Sequence, residues 1–334
     1  MKKIINPDSE DIIEEMLNGF VAAYPRYYTK RSGANAIVYN HRRKDKVSIV
    51  IGGGSGHEPS FCGFAGRGLA DAVACGNVFA SPNPQLIYET AMAVDEGHGT
   101  LFLYGNYAGD NLNFDMAEEL CEFEGIKTAH VRVMDDIASA PKERMEDRRG
   151  IAGDAFVFKI AGAAADAGLP LDEVTRIAES ARDHTFSIGL ATSPCTIPGL
   201  SKPTFELGED EIEFGMGIHG EPGIERTTMK PARELVNRMY HLLQEERPIK
   251  HDEKLVVLVN GLGSTTILEL SIVFHELAQL LIQDHITIYD SELKSFCTSQ
   301  EMGGFSISFL YLNEELEKYY NAECFSPYYG REAL

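Results

Sequence analysis

The stretch Val47-Ser48-Ile49-Val50-Ile51-Gly52-Gly53-Gly54-Ser55-Gly56-His57-Glu58-Pro59 decides how the rest of the chain is read. Its first residues are β-branched and apolar around a single serine, the pattern of a short buried strand. The run passes straight into glycine, which permits positive φ and lets a ligand approach the main chain. The predicted geometry is a strand feeding a ligand-facing turn with His57 at its tip. A second stretch, Gly215-Met216-Gly217-Ile218-His219-Gly220-Glu221-Pro222-Gly223, repeats the combination of one histidine, glycines and a Glu-Pro pair. Histidine is the side chain suited to act as acid, base or nucleophile near neutral pH. Two such turns in one chain point to a small-molecule site.

Outward from the first turn, strands are predicted at Gly99–Tyr104 and Thr128–Val133, with helical periodicity over Gln85–Glu96 and Asn113–Glu124. A helix is also predicted over Glu10–Phe20, where Ile12, Ile13, Met16, Leu17 and Phe20 share a face. Strand and helix in alternation imply βαβ units and a mostly parallel sheet. Ligands of such sheets gather at the carboxyl ends of the strands. The loops after Ile51 and Tyr104 are therefore expected to converge. Helices follow at Ala152–Gly168 and Leu171–His184, and beyond about residue 185 the texture changes. A hairpin of Thr204–Leu207 with Glu211–Phe214, a helix Pro231–Glu245, a strand Leu255–Val259 and a helix through Leu268, Ile272, Leu277 and Leu281 suggest a second α+β domain. The chain has 334 residues, more than one core usually organises. The fold class expected is α/β, with an N-terminal mostly parallel sheet and flanking helices over 1–184 and a second α+β domain over 185–334.

The formal charge of -21 argues against nucleic acid as a partner, and the short basic run Arg42-Arg43-Lys44-Asp45-Lys46 reads as solvated surface. No segment is long and apolar enough to span a bilayer, and no apolar signal region follows Lys2-Lys3, so a cytoplasmic protein with no membrane contact is expected. The cysteines at 62, 75, 121, 195, 297 and 324 are scattered without a C-x-x-C pair, which fits reduced thiols. Cys195 reads as a small buried residue.

The first glycine stretch fails the phosphate-loop template, because no Gly-Lys-Ser/Thr follows, and fails the dinucleotide fingerprint, because His57 replaces its third glycine. A further loop, Gly105-Asn106-Tyr107-Ala108-Gly109-Asp110, follows a predicted strand as the first does. Asp110 there either caps the helix near Asn113 or accepts a hydroxyl proton from a small polyol. His219, stripped of bulky neighbours, is placed to attack a carbonyl carbon. A metal site at His219 lacks a second ligand at suitable spacing, so no metal is expected on this chain.

These loops in this order resemble the ketone-binding subunit of dihydroxyacetone kinases. The resemblance includes Val78-Phe79-Ala80-Ser81-Pro82-Asn83-Pro84, Asn106-Tyr107-Ala108-Gly109-Asp110, Arg148-Arg149-Gly150-Ile151-Ala152-Gly153 and Gly217–Gly223, and covers nearly the whole chain. It implies that His219 forms a hemiaminal with a short ketose and that His57 assists proton transfer at the carbonyl oxygen. It implies that Asp110 orients and deprotonates the terminal hydroxyl, and that the backbone of Gly54, Ser55 and Gly56 holds other oxygens. Three positions depart from the family pattern. Gly105 stands where a lysine is usual and leaves room at the substrate, and Asp154 and Phe158 replace a more familiar Thr and His. The family also includes coactivators that bind ketose without phosphorylating it, and a four-carbon ketose such as erythrulose is a further alternative. No Asp-Gly-Asp-His-Gly type motif occurs, so ATP/ADP and Mg are expected on a separate helical nucleotide-binding subunit and no cofactor on this chain. A homodimer is expected.

Overall fold

The computed structural model describes residues 3–6, 11–250 and 252–332, so Glu10, the expected start of the first helix, and His251 lie outside the described residues. The chain forms two compact units whose paths interleave: Met1–Val133 with Ala155–Ala181 and Leu316–Leu334, and Met134–Asp154 with Arg182–Glu315. This differs from the consecutive blocks 1–184 and 185–334, and backbone pairing accounts for it. Ser187 donates to the Asp135 carbonyl at 2.7 Å and accepts from Ile137 at 3.0 Å, stitching 134–154 to the second unit. Near the C-terminus, Phe325 and Arg67 exchange backbone hydrogen bonds at 2.9 and 3.0 Å, returning the tail to the first unit.

The first unit is built on strands β1 (Tyr28–Lys30), β2 (Ala36–Tyr39), β3 (Ser48–Ser55), β4 (Ala72–Val78), β5 (Thr100–Gly105) and β6 (Thr128–Val133), with helices α1 (Ile12–Ala23), α2 (Pro84–Met92), α3 (Ala108–Phe123), α4 (Asp154–Asp166) and α5 (Leu171–Asp183). The sheet order is β1-β2-β4-β3-β5-β6. The four strands β4, β3, β5 and β6 run parallel, and β1 and β2 complete the edge antiparallel. Helices α2 and α3 bury Ile87, Ala91, Phe114 and Ala117 against Val50, Ala74 and Phe102. Phe158 of α4 packs its ring on Phe61 and Phe64, with centroids 6.0 and 5.8 Å apart. Asp11 caps α1 by accepting from the amides of Ile13 and Glu14, satisfying donors that the helix leaves open.

The second unit carries β7 (Thr185–Ser193), β8 (Glu211–Phe214), β9 (Glu225–Thr228), β10 (Lys254–Gly261), β11 (Ile288–Lys294) and β12 (Gly303–Leu312), with α6 (Ala232–Glu246) and α7 (Ile267–Gln283). Its order is β11-β10-β12-β7-β8-β9, antiparallel except for β10 with β11. Leu235, Met239 and Leu243 of α6 and Leu270, Leu277 and Leu281 of α7 close over Val257, Ile307 and Phe309. A capping box of Thr266 and Glu269 starts α7. The hairpin expected from Thr204–Leu207 does not form. Glu211–Phe214 instead pairs with β7 on one side and β9 on the other, while Thr204 binds the Cys195 carbonyl. Helix α8 (Glu314–Tyr320) and the short pair β13 (Cys324–Phe325) and β14 (Gly330–Arg331) complete the chain.

Candidate functional site

In the first unit, β3 does not end at Ile51 but runs on through Gly52, Gly53, Gly54 and Ser55, all buried. A Cβ on Gly52 would lie 2.6 Å from the Ala74 carbonyl oxygen, on Gly53 2.4 Å from the Phe61 ring, and on Gly54 2.7 Å from the Ala80 amide. Glycine is used here chiefly so that the chain can approach itself, and only Gly56, with φ of 99°, takes the left-handed conformation expected of a turn. The Ser55 hydroxyl donates to the Gly76 carbonyl at 2.8 Å. The Gly56 amide donates to both carboxylate oxygens of Glu58, at 3.0 and 3.1 Å. The amide expected to hold a substrate oxygen therefore already has a partner. Burial pushes the Glu58 carboxyl up, against the pull of that same amide.

His57, 1% exposed, lies flat against Phe79 with ring centroids 5.0 Å apart. Phe79 leads the loop after β4 and has φ of 58°, a conformation that costs a non-glycine residue about 1–2 kcal/mol. Gly54 makes it possible, since a Cβ there would sit 3.0 Å from Phe79 Cα. Because β3 and β5 are parallel neighbours, the loops that follow them leave the same edge of the sheet, as expected for the carboxyl ends of such strands. The loop after β5 turns at once into α3, whose N-cap is Tyr107. Asp110 is thus inside the first turn, 8% exposed, rather than capping a helix that begins at Asn113. Gly105 closes β5, and its carbonyl accepts the Tyr107 amide at 2.8 Å.

In the second unit, His219 sits on the loop between β8 and β9. Gly215 and Gly220 have φ of 75° and 88°, so this stretch is the true glycine turn. The Gly217 amide donates to the Glu221 carbonyl, and Gly220 donates back to the Gly217 carbonyl, both at 3.0 Å. The Ser299 hydroxyl donates to the Ile218 carbonyl. His219 Nδ1 lies 3.0 Å from Glu221 Oε1, and the His219 backbone amide donates to Glu221 Oε2 at 3.0 Å. Arg149 Nη1 approaches Glu221 Oε2 at 3.7 Å. Its other nitrogens hold Asp136 Oδ2 at 2.8 and 3.2 Å and the Gly215 carbonyl at 3.2 Å. Burial alone would raise Glu221, but the hydrogen bond and charge of His219 and the charge of Arg149 pull it down to about 2. Asp136, 1% exposed, is pushed up to about 6 by burial despite Arg149.

The His219 side chain is 22% exposed, so the imidazole is held and still reachable. Such an arrangement orients the imidazole beside a fixed carboxylate, the pairing that serves nucleophilic or acid-base chemistry. Sequence reading noted Glu221 and Arg149 only as parts of motifs, with no role assigned, and did not name Asp136. The signal available was Glu221 two positions after His219, and the carboxylate beneath Arg149 is set by folding. Cys195 is buried, as expected, with its Sγ 3.3 Å from Thr204 Oγ1. Among the described residues, Asp115, Glu118 and His130 bring possible metal-ligand atoms within 4.8 Å of one another. Arg132 pairs with Asp115 at 2.5 Å and the Tyr104 hydroxyl meets His130 Nδ1 at 2.9 Å, so the group is already an ion-pair network.

Residues 18–328 match the family model described as the Dak1 domain. The chain is 42% identical over 331 residues to a PTS-dependent dihydroxyacetone kinase 2, dihydroxyacetone-binding subunit, of Listeria innocua, covering 98% of this chain and 99% of that protein. It is 40% identical to the D-erythrulose kinase of Mycolicibacterium smegmatis, matching 100% of this chain and 57% of the longer relative. The solved structure described as a dihydroxyacetone kinase operon co-activator superposes with a TM-score of 0.88 at 30% identity, covering 93% of this chain and 96% of that one. Among the described residues no helix is long and apolar enough to cross a membrane.

Proposed function

The chain belongs to the Dak1 domain family, and from that premise we propose that it is the dihydroxyacetone-binding subunit of a dihydroxyacetone kinase, a phosphotransferase acting on an alcohol group. The reading rests on His219, an imidazole 22% exposed on a glycine turn and tied through Nδ1 to Glu221. A neutral imidazole so held attacks the ketone carbon and retains the ketose as a hemiaminal. Plain polyols such as glycerol have no carbonyl and are excluded. His57 assists proton transfer at the carbonyl oxygen. Asp110, in the first turn of α3, orients the terminal hydroxyl and accepts its proton as phosphate arrives, a contribution worth about 10²–10⁴-fold. The nucleotide and its Mg belong to a separate subunit, and by itself this chain transfers no phosphate. A homodimer in the cytoplasm is part of the same proposal.

The test uses dihydroxyacetone labelled with ¹³C at the carbonyl. Binding should replace the ketone resonance with that of a tetrahedral carbon, and His219→Ala should abolish the replacement. Absence of such a carbon with every short ketose, three- or four-carbon, would sink the proposal. A second reading, a ketose-binding coactivator, has the co-activator structure behind it at a TM-score of 0.88, beside 0.89 for a dihydroxyacetone kinase structure. Adding a nucleotide-binding subunit with its phosphoryl donor separates the two: phosphorylated ketose forms for a kinase subunit and none for a coactivator. Running both ketoses in that assay reports whether the room left by Gly105 admits the longer substrate.

A further inference from the structure

His219 meets Glu221 twice, and the two contacts fall on different oxygens. The backbone amide of His219 donates to Oε2, while Nδ1 faces Oε1. A carboxylate can only accept, so Nδ1 must carry a proton, and in the neutral ring the lone pair is then on Nε2. The carboxylate is itself held. Arg149 Nη1 stands 3.7 Å from Oε2, and Arg149 is anchored on Asp136 and on the Gly215 carbonyl of the same loop. Gly217 leaves the room for this arrangement, since a Cβ there would fall 2.1 Å from Glu221 Oε2 and 2.5 Å from Arg149 Nη1.

We propose that Glu221, held by Arg149, is the positioning residue that makes Nε2 of His219 the attacking atom. The inference rests on the ketose-capture reading above. In the step itself the Nε2 lone pair forms the bond to the carbonyl carbon, and the C=O π pair moves onto oxygen. That oxygen takes a proton from a general acid, the part proposed for His57. The ring, now substituted at Nε2 and protonated at Nδ1, carries a positive charge that the Glu221 carboxylate offsets, as a triad carboxylate does for its imidazolium. Glu221 thus fixes the tautomer before attack and stabilises the cation after it.

Glu221→Gln makes the sharpest test, because its outcome follows from the two contacts. The His219 amide can only donate, so the new amide oxygen takes the place of Oε2 and the NH₂ group faces Nδ1. His219 then bears its proton on Nε2, with no lone pair for attack. With ¹⁵N-labelled histidine, the wild type should show the Nδ1–H tautomer and the variant the Nε2–H tautomer. Capture of ¹³C-dihydroxyacetone should slow by on the order of 10⁴-fold, as when a triad is held in the wrong tautomer. Arg149→Gln should slow capture by roughly tenfold, with partial rescue by Arg149→Lys, in the range seen for outer-shell partners. If Glu221→Gln keeps the Nδ1–H tautomer, or captures ketose at the wild-type rate, the inference is overturned. Should Glu221→Gln not fold, equal capture by Arg149→Gln and the wild type overturns it. A wild type that captures no ketose refutes the capture reading instead, while the tautomer measurement still decides the role of Glu221.

Discussion

The two glycine stretches look alike in sequence and differ in the backbone they build and in what they do with their histidine. Gly52–Gly54 lie inside a buried strand, where side chains are excluded by Ala74, Phe61 and Ala80. Gly215–Gly223 form a turn, with Gly215 and Gly220 at positive φ and His219 partly exposed on it, and only Gly223 of its glycines meets backbone first, a Cβ there falling 2.0 Å from the Phe214 carbonyl oxygen. The histidines differ accordingly. His57 is buried flat on Phe79, while His219 is fixed at one ring nitrogen by a charged partner. A glycine-rich run with a histidine is therefore not one motif. The surrounding chain decides whether the glycines admit the protein's own backbone or present a side chain outward.

Alanine substitution should separate the two stretches by their readouts. Gly54→Ala puts a Cβ 2.7 Å from a backbone amide that cannot move alone. It should cost the first unit about 3 kcal/mol, the upper end for overpacking, seen as a lowered midpoint of unfolding. Gly217→Ala meets only the ends of the Glu221 and Arg149 side chains. It should cost no more than the roughly 1–2 kcal/mol of the Glu221 contact it disturbs, a smaller loss than at Gly54, while slowing ketose capture about tenfold. Equal losses of stability at both positions would break the distinction.

A smaller effect is expected from pH. Glu221 is held at about 2 against an ordinary 4.5, so the folded state favours its charged form. That stability is present above about pH 4.5 and is lost as pH falls towards 2. With the side chain 32% exposed, solvent screening brings the effect to roughly 1–2 kcal/mol. The stability difference between wild type and Glu221→Gln, followed by denaturant unfolding, should shrink over that window. A difference that stays constant from pH 5 to pH 2.5 would refute the ion-pair account of the turn. Smallest of all is Gly19→Ala. Gly19 is an exposed residue within α1, and a Cβ there meets nothing within 4 Å. It should raise stability by about 0.5–1 kcal/mol, the helix cost of glycine with no packing to protect. A loss instead would show that glycine spacing in this chain cannot be sorted by contact.

Much of the first unit was legible because its periods are clean. The strand at Thr128–Val133 has the bounds expected, and the loops after β3 and β5 share one sheet edge. The second unit was harder. β12, Gly303–Leu312, is buried along its full length with serines among its apolar residues, so no alternation marks it. Thr204–Leu207 has strand-like residues but no ladder partner once β9 takes the free edge of β8. His219, His57 and Asp110 stood out because glycine or a strand end isolates them. Glu221 and Arg149 did not, since 72 residues of chain separate them (221 − 149) and only the fold sets Arg149 3.7 Å from the carboxylate.

The most direct test joins the two labels. Protein carrying ¹⁵N-histidine, saturated with carbonyl-¹³C dihydroxyacetone, should show a one-bond ¹³C–¹⁵N coupling from the tetrahedral carbon to Nε2 of His219, absent in His219→Ala and kept in His57→Ala. Coupling to His57, to Nδ1 of His219 or to no histidine would contradict the account.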